Sequence, residues 1–482
     1  MLSRRDFIRK AAIIAGAAAI PSALRGAGTA ARPAATTAAK GATPAAQSLA
    51  DQKIALDNSY DIIVAGGGPA GCAAATAAAQ KGRRVLLIEA GGALGGLGTS
   101  GMVPAWCPFT DGEKIIYRGL AEQVFREAKK GVPHEPADKF DWVTINPEYL
   151  IGVYDRLVAD SGADILFFSR VAAVEMDADD RIDAVVVANK NGLTAYRAPL
   201  FIDATGDGDL CAWAGAEFLK GDADGVLQKS TLCFSVANVN TDAYLNGPEL
   251  HSGHNPDSAS VRASKTGRYP LLDTHCCHNL VGPGVVQFNA NHIAIADTTD
   301  PRQLSDAMRL GRRMADQHLT MLKEFRPDAF ADAFVVKTAV IPGIRDSRRI
   351  VGDYFFTADD WRARRSFPDE IGRNCYFIDV HKSGYPETHY SRGESHGIPY
   401  RCLVPKALSN VLTAGRCIST DEEAYGSLRV MPPCLVTGQA AGTAAAQLLA
   451  SDGASGSSAL NFHTLDTDLL RNTLRADGAY FL

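Results

Sequence analysis

The most regular pattern of hydrophobic and polar positions lies between residues 60 and 90. Two short apolar runs, residues 62–65 and 85–88, enclose a glycine-rich turn and a stretch dominated by alanine, and the second run ends at Glu89. Unbroken apolar runs of this kind are typical of buried parallel strands, and the alanine-rich stretch predicts a helix between them. The order of strand, glycine turn, helix, strand and acid predicts the first half of a dinucleotide-binding fold.

Each glycine of this turn has a physical reason. Gly66 allows a tight turn after the strand, Gly68 lets the backbone approach a pyrophosphate, and Gly71 lets the helix pack closely on the sheet. The helix start offers free N–H groups and a positive dipole end to phosphates. Glu89 lies where it can accept hydrogen bonds from a ribose. The predicted dinucleotide-binding residues of this segment are Gly66, Gly68, Pro69, Ala70, Gly71 and Glu89.

Further periodic patterns extend the prediction along the chain. They indicate helices at residues 120–130, 147–160, 301–325 and 435–450, a three-stranded meander within 164–203, and short strands at 376–380 and 411–414. The region 212–400 has longer loops and holds the histidine and arginine clusters, which indicates an inserted lobe. We expect an α/β chain in which residues 58–211 and 401–450 form one Rossmann-like domain, residues 212–400 form an inserted α+β substrate domain, and residues 451–482 form a tail.

The amino-terminal segment has the features of an export signal. Arg4 and Arg5 are followed by Phe7, Lys10, a short apolar run and small residues, a pattern that resembles a twin-arginine signal. The apolar run is too short to span a bilayer comfortably. We predict a signal over residues 1–30 that the twin-arginine export machinery recognises, a disordered linker over residues 31–57, and a periplasmic or other extracytoplasmic location.

Composition narrows the classes of function. A formal charge of -5 without a basic stripe argues against nucleic-acid binding. The cysteines include no C-x-x-C pair, which argues against a thioredoxin-type redox centre. The run His-Cys-Cys-His at 275–278, with His251 and His254 upstream, has metal binding as one interpretation. Ligands this close in sequence wrap one ion poorly, so we predict no metal site.

Several motifs follow one another in a fixed order. They are GGGPAG with Glu89, GGALGGLGTSG at 91–101, ATGDGD at 204–209, PGIRDSRRIVGDY at 342–354, YFIDVHKSG at 376–384, and the segment 399–442, which contains RVMPPCLVTGQAAG. Together they resemble the FAD-dependent oxidoreductases related in fold to the fumarate reductase and succinate dehydrogenase flavoproteins. The resemblance spans almost the full chain, and it implies an FAD-binding domain of the glutathione-reductase type.

The resemblance also implies further FAD contacts. They are Gly95, Gly96 and Thr99 along the flavin and ribityl chain, Asp207 near the pyrophosphate, Gly415 and Arg416 at a strand end, and Met431, Pro432 and Leu435 at a helix start. A helix N-terminus beside the flavin stabilises the negative charge of its reduced form. Relatives with covalent flavin carry a histidine near the second glycine run, and residues 91–101 contain none. We therefore expect noncovalent FAD, with a thioether to Cys107 as the alternative.

The candidate catalytic residues lie in the inserted lobe. His381 is suited to proton transfer near neutral pH and is predicted to be the base, and Arg345 or Arg348 is predicted to orient the substrate. Ion pairs with neighbouring aspartates are the structural alternative for the arginines. Arg349 completes the arginine cluster, and Arg429, beside the predicted flavin helix, is a further candidate for facing the cofactor or the substrate. Weaker candidates are His389, Tyr390 and His396.

We expect an enzyme that oxidises a small polar substrate, such as a hydroxylated or sugar-like compound, by hydride transfer to flavin N5. One alternative is a flavin-dependent reductase of an unsaturated carboxylate, supported only by the arginine cluster. Another is a protein that binds a nucleotide or FAD without redox chemistry. No second G-x-G-x-x-G follows a strand. Electrons are therefore expected to pass to an external acceptor such as a quinone, a redox protein or oxygen.

Overall fold

The computed structural model describes residues 54–178, 180–251, 255–382, 385, 387–451 and 460–482. The strands are β1 Ala55–Asp57, β2 Ile62–Ala65, β3 Val85–Ile88, β4 Asp164–Leu166, β5 Arg170–Ala178, β6 Arg181–Asn189, β7 Gly192–Arg197, β8 Leu200–Asp203, β9 Phe218–Lys220, β10 Phe234–Ala237, β11 Cys276–Gly282, β12 Val285–Ala290, β13 Phe334–Thr338, β14 Arg348–Ile350, β15 Glu370–Asn374, β16 His396–Pro399 and β17 Val411–Thr413. The helices are α1 Pro69–Ala79, α2 Leu120–Lys129, α3 Pro147–Ser161, α4 Asp209–Trp213, α5 Thr241–Asn246, α6 Ala259–Ser264, α7 Pro301–Phe325, α8 Pro327–Phe330, α9 Ala358–Arg362, α10 Glu422–Leu428, α11 Met431–Ser451 and α12 Thr467–Ala476.

A 5-stranded parallel sheet in the order β17-β8-β2-β3-β4 forms the centre of the fold. The strands β2, β3 and β8 are buried along their whole length, as their uninterrupted apolar runs predict. In a parallel sheet all carboxyl ends lie at one edge, so the turns after Ala65, Asp203 and Thr413 meet there. The predicted Rossmann-like fold is confirmed.

Helices α1 and α11 pack against each other beside this sheet. A Cβ added to Gly438 would lie 2.1 Å from the Ala70 carbonyl oxygen, and one added to Gly442 would lie 2.1 Å from the Ala74 carbonyl oxygen. Only glycine permits this approach of two helix backbones. The hydrophobic pattern predicted this helix at 435–450, whereas the resemblance implied a helix start at Met431. The helix does begin at Met431, and its two prolines lie in the first turn, where an N–H has no partner inside the helix.

The predicted three-stranded meander is present as β5, β6 and β7, and β1 joins it in parallel with β7. The predicted range 164–203 was too wide, however. Its first and last strands, β4 and β8, belong to the parallel sheet instead. The last of these strands, β8, is buried along its whole length in the central sheet, whereas β4 at the edge of that sheet is only partly buried.

A second sheet, in the order β11-β12-β10-β13, is antiparallel and lies in the region predicted to be an inserted lobe. Helix α7 packs on it through a core that includes Phe234, Phe288 and Met321. Asp300 caps α7 by accepting a hydrogen bond from Arg302 N. The helix has the predicted bounds.

The predicted strand at 376–380 is wrong, because this segment forms only a single bridge, between Ile378 and Thr388. The predicted export signal and most of the predicted linker lie outside the described residues. The end of the linker was predicted wrongly as disordered, because Ala55–Asp57 forms β1 and pairs with β7. Within the described ranges, none of the helices combines the length and the apolar character needed to cross a bilayer.

Candidate active site

The turn between β2 and α1 has the geometry that its glycines predict. Gly66 has a φ of 97°, and a Cβ there would lie 2.4 Å from the Ala204 carbonyl oxygen. A Cβ on Gly71 would lie 1.8 Å from the Gly66 carbonyl oxygen. Gly68 differs from both, because a Cβ there would meet nothing within 4 Å. Two of the glycines are therefore required by packing, whereas Gly68 borders open space.

The N-terminus of α1 opens into that space. Its N-cap residue is Gly68, no side chain caps it within the described chain, and Pro69 occupies the first turn. An uncapped helix start has free N–H groups and the positive end of the helix dipole. Such a start binds a phosphate group readily.

Glycine turns that are distant in sequence meet at this place. A Cβ on Gly96 would lie 3.1 Å from Gly68 Cα, and a Cβ on Gly98 would lie 2.8 Å from the sulfur of Met431. A Cβ on Gly415 would lie 2.8 Å from Ala70 Cβ. We call these three turns and the start of α11 the cofactor cradle. The structure brings together predicted residues from both ends of the described chain.

Glu89 and Thr99 hold the cradle in shape. Glu89 Oε2 accepts a hydrogen bond from Gly67 N at 2.7 Å, and Glu89 Oε1 accepts one from Gly91 N at 2.6 Å. Thr99 Oγ1 donates to the Leu94 carbonyl oxygen at 2.6 Å. The carboxylate of Glu89 thus joins the two glycine runs. Its predicted contact with a ribose stays a prediction.

Charged residues close the opposite side of the cradle. Arg416 Nη2 donates to Asp207 Oδ1 at 2.7 Å, which ties the turn after β17 to the turn after β8. Arg348 Nη1 donates to Asp209 Oδ1 at 2.7 Å and to the Asp207 carbonyl oxygen at 3.0 Å. Arg348 therefore lies with the turn after β8. Its predicted role in orienting a substrate beside His381 is not supported by these contacts.

A second polar group adjoins the start of α11. His381 Nε2 lies 3.1 Å from Asp379 Oδ1. Arg429, two residues before α11, donates from Nη2 to the Asp379 carbonyl oxygen at 2.8 Å and to Oδ2 at 3.2 Å. Asp379 therefore links the predicted base to the end of the helix that is predicted to face the flavin.

Arg345 belongs to the same group. It is 7% exposed, and its Nη1 donates to the Lys229 carbonyl oxygen at 2.8 Å, while Lys229 N donates to the His381 carbonyl oxygen at 3.3 Å. Burial and the nearby Arg429 lower the pKa of Arg345 to about 10, so it stays charged at neutral pH. Of the two predicted substrate-orienting arginines, Arg345 is the one placed beside His381.

The His381 side also contains residues that the sequence did not reveal. His381 Nδ1 lies 3.0 Å from His292 Nε2, and His292 Nδ1 lies 2.7 Å from Asp273 Oδ2. We call Asp379, His381, His292 and Asp273 the histidine chain. Burial, and then Arg345, lower the pKa of His381 to about 3. Burial would raise the pKa of Asp379, but its contact with His381 and the charges of Arg429 and Arg345 hold that pKa well below its usual range.

A model of the FAD-dependent oxidoreductase family matches residues 61–473. This chain belongs to that family. Among solved structures, the oxidoreductase is similar to a geranylgeranyl bacteriochlorophyll reductase-like protein from Thermoplasma acidophilum, at 14% identity and a TM-score of 0.41 over 88% of this chain and 92% of that chain. It is also similar to an anhydrotetracycline hydroxylase from Streptomyces rimosus, at 13% identity and a TM-score of 0.41 over 86% and 65%, and to a flavin-dependent brominase, at 12% identity and a TM-score of 0.44 over 86% and 83%.

FAD is the cofactor of this oxidoreductase, and the described residues fit it. The open space at Gly68 and the uncapped start of α1 suit the pyrophosphate, and the start of α11 suits an electron-rich ring. The predicted FAD cofactor and the predicted enzyme class are confirmed by the family. Noncovalent attachment stays a prediction.

The structure does not bring the side chains of residues 275–278 together around one metal ion. Along β11 the side chains alternate: Cys276 Sγ lies 3.7 Å from His318 Nε2 on one face, and His278 pairs with Glu249 there, whereas His275 faces the histidine chain. His254 lies outside the described residues.

Three histidines from different segments do come together. Each ring offers one nitrogen atom, and these three nitrogens, of His275, His292 and His381, all lie within 4.8 Å of one another. The rings of His275 and His292, however, are stacked at 4.3 Å with planes only 20° apart. Nitrogen lone pairs lie in the ring plane, so two stacked rings cannot both direct them at one ion without turning. As placed, the group is arranged for hydrogen bonding along His292 and His381.

The weaker candidates fall outside the histidine chain. His396 is fully buried, and its Nδ1 lies 2.8 Å from the hydroxyl of Tyr390, which donates to the Trp361 carbonyl oxygen. His389 stacks on Phe377 and lines a cavity of about 280 Å³. Arg349 pairs with Asp346 at 3.1 Å, as the ion-pair alternative anticipated.

Proposed function

We propose that this FAD-dependent oxidoreductase oxidises a small polar substrate, such as a hydroxylated or sugar-like compound, with His381 as the base. When bound, FAD supplies a hydride acceptor at flavin N5. The observation that carries the proposal is the contact of Asp379 with both His381 and Arg429. It joins a base to the helix start that is predicted to face the flavin.

In this proposal His381 takes the proton of a hydroxyl group. Oxidation of an alcohol removes a hydride from carbon and a proton from oxygen, and the product is a carbonyl compound. Asp379 favours the protonated ring, against the burial and the charge of Arg345 that lower the pKa of His381 to about 3. His381 Nε2 faces Asp379 Oδ1, so a proton on Nε2 forms a charge-assisted hydrogen bond with the carboxylate.

Arg345 supports a substrate rich in oxygen. An arginine side chain has five N–H donors. In Arg345, Nη1 donates to the Lys229 carbonyl oxygen at 2.8 Å, and Nη2 donates to Asn289 Oδ1 at a marginal 3.5 Å. The remaining donors of this buried cation suit hydroxyl or carboxylate oxygens, and would fix which carbon faces the cofactor.

The alternative of a reductase acting on an unsaturated carboxylate depended on a dense arginine cluster. Arg348 and Arg349 are engaged by Asp209 and Asp346, which leaves Arg345 near the base. One cation is weaker support for carboxylate binding than the three that the sequence suggested. The relation to fumarate reductase flavoproteins likewise stays a prediction.

We also propose that the protein is exported through the twin-arginine machinery and passes electrons to a quinone, a redox protein or oxygen. The support is the Arg4-Arg5 pattern, and the lack of a second G-x-G-x-x-G directly after a predicted strand. Fusing residues 1–57 to a reporter that is active only outside the cytoplasm tests the export. Replacing both arginines by lysine should abolish the reporter signal, and an unchanged signal would contradict the proposal.

An anaerobic titration tests the reaction. Purified holoenzyme is mixed with a panel of alcohols, sugars and hydroxy acids, and the flavin absorbance is recorded. Bleaching by a hydroxylated compound is the expected result. Reoxidation of chemically reduced enzyme by an unsaturated carboxylate, with no bleaching by any hydroxylated compound, would favour the reductase instead.

A further inference from the structure

We propose that Arg345 binds a carboxylate of the substrate, and that the substrate is therefore a hydroxy acid. This inference rests on the proposed oxidation of a hydroxyl group, and it narrows the broad class of small polar compounds to anionic ones. In the oxidation the carbon loses a hydride, which FAD accepts, and the hydroxyl oxygen loses a proton. The product is an oxo acid that keeps the carboxylate unchanged.

Arg345 differs from the other buried arginines. Four arginines are buried in the part of the chain that the structure describes, and three of them contact a carboxylate at 3.0 or 3.1 Å. These three are Arg326 with Asp328, Arg349 with Asp346, and Arg373 with Glu370. Arg345 is the exception, because the partners described for it, the Lys229 carbonyl oxygen and Asn289 Oδ1, are both neutral.

The charges around Arg345 do not cancel. Arg429 is a second cation, and it contacts the carboxylate of Asp379 at 3.2 Å. The hydroxyl of Tyr376 and the ring of His381 also bind Asp379, at 3.2 Å and 3.1 Å. Since the pKa of His381 is lowered to about 3, its ring is neutral at pH 7. Two cations and one carboxylate leave one positive charge, and a buried charge without a counter-ion is costly. This uncompensated charge requires an anion, whatever the number of arginines nearby.

The guanidinium group of Arg345 has a free edge that fits a carboxylate. Its Nη1 donates to the Lys229 carbonyl oxygen at 2.8 Å, whereas Nη2 has only the marginal contact of 3.5 Å with Asn289 Oδ1. Among the described residues Nε has no hydrogen-bond partner. A carboxylate that approaches Nε and Nη2 from the side forms two parallel charge-assisted hydrogen bonds. This contact favours a planar carboxylate over a single hydroxyl group.

The free edge lies on the side of the antiparallel sheet that is turned to the cofactor cradle. Asn289 and Gln287 are two residues apart on β12, so their side chains share one face of the sheet. From that face Gln287 Nε2 donates to the Met102 carbonyl oxygen at 2.7 Å, and Met102 directly follows the second glycine run. A substrate carboxylate at Arg345 is therefore held between this sheet and the cradle.

The first test measures binding to the oxidised holoenzyme and needs no turnover. Acetate, propionate and benzoate, which have no hydroxyl group to oxidise, are titrated while the flavin absorbance is recorded, and the corresponding amides are the neutral probes. The acids should bind at least about a hundredfold more tightly than the amides. Arg345→Gln should lose this preference, and Arg345→Lys should keep part of it, because lysine retains the charge without the fork. A wild type that does not distinguish the acids from the amides would overturn the proposal.

The second test shows whether the protein itself compensates the charge. In the ligand-free holoenzyme, Arg345→Gln should leave the midpoint of thermal unfolding unchanged or raise it, because it removes a charge without a partner. Arg326→Gln is the matched control, since Arg326 is buried in the same lobe but pairs with Asp328 at 3.0 Å. This control should lower the midpoint by roughly 5 °C and keep the preference for acids. An equal fall in Arg345→Gln would mean that the counter-charge lies within the protein, and it would overturn the proposal.

The third test compares substrates by anaerobic stopped-flow absorbance. Glycolate, lactate and mandelate are mixed with the holoenzyme beside their amides and beside neutral polyols. The acids should bleach the flavin about a hundredfold more efficiently than the amides at low concentration. Arg345→Gln should remove this advantage by raising the concentration that gives half the maximal rate, while the maximal rate changes less.

The outcomes distinguish this inference from the proposed oxidation. Neutral polyols that bleach the flavin as efficiently as the hydroxy acids would overturn the carboxylate site and leave the oxidation in place. Acid binding that depends on Arg345, without bleaching by any hydroxylated compound, would contradict the oxidation and leave the carboxylate site in place.

Discussion

The cofactor cradle and the histidine chain are built in opposite ways. The cradle consists largely of backbone: glycines whose missing side chains permit close approach, and the start of α1, which no side chain caps within the described residues. The histidine chain consists of side chains from loops that are far apart in sequence, at residues 273, 292 and 379–381. The first has the open space and the helix dipole that suit a phosphate group, whereas the second holds the predicted base, His381.

This difference determines how each region tolerates change. At Gly66 and Gly71 an added methyl group would collide with backbone, which cannot move away without shifting a helix, whereas at Gly68 it would meet nothing within 4 Å. In the histidine chain the rings touch other side chains, so a substitution can leave the fold intact while removing the chemistry. Substitutions in the two regions should therefore separate stability from catalysis.

Gly438→Ala should have the largest effect. Its Cβ would lie 2.1 Å from the Ala70 carbonyl oxygen, so α11 must move away from α1. Overpacking of this kind costs about 3 kcal/mol, and the shift also displaces the start of α11 in the cradle. Denaturant unfolding and the FAD content of the purified protein measure the two consequences. Gly152→Ala is the control, because its nearest contact is the movable end of Arg156 at 3.3 Å, and it should be neutral or stabilising.

His381→Ala is expected to act on the rate alone. Loss of a general base should slow flavin reduction about a hundredfold, equivalent to about 2.7 kcal/mol in the barrier. The FAD content and the unfolding midpoint should match the wild type, because the ring is not part of the cradle. Anaerobic stopped-flow absorbance measures the rate. Unchanged reduction kinetics would remove His381 from the mechanism, and loss of FAD would show that the two regions are not separable.

The same contrast explains what could be predicted from the sequence. Gly66, Gly68 and Gly71 lie within one local motif, where spacing and periodicity determine the geometry, so the cradle and the parallel sheet were predicted from short segments. Motif order extended the prediction to the second glycine run and to Gly415.

The histidine chain could not be found in this way. His292 and Asp273 lie in loops without periodicity, and they reach His381 only because β11 and β12 bring their ends together. Tertiary contacts also determine which residues the arginines bind. Arg348 binds Asp209, away from His381, although it is only three residues from Arg345 in the sequence. A conspicuous run such as residues 275–278 was misleading, because strand alternation sends its side chains to two faces.

Gly68→Ala should separate packing from cofactor binding within the cradle itself. Its φ of -71° suits alanine, and the added Cβ meets nothing within 4 Å, so the apoprotein should be as stable as the wild type. The methyl group occupies the space predicted for the pyrophosphate, and FAD affinity should fall about tenfold, or about 1.4 kcal/mol. Fluorescence titration of apoprotein with FAD measures it. Undiminished affinity would place the pyrophosphate elsewhere.

His396 shows what burial does to a histidine that has neutral partners instead of carboxylates. Asn374 Nδ2 and the Tyr390 hydroxyl lie 3.3 Å and 2.8 Å from its ring nitrogens, and burial, then Arg373, lower its pKa to about 3. When the pH is below 6.5, the ordinary pKa of histidine, His396 binds a proton in the unfolded chain but not in the folded protein. The free energy of unfolding therefore falls as the pH falls. Between pH 7.5 and 5.5 this residue should account for about 1 kcal/mol of that loss. His396→Gln, which has no such proton, should give a flatter curve of unfolding free energy against pH by this amount. A curve parallel to that of the wild type would mean that His396 is protonated inside the fold, and that burial without a carboxylate does not keep a histidine neutral in this protein.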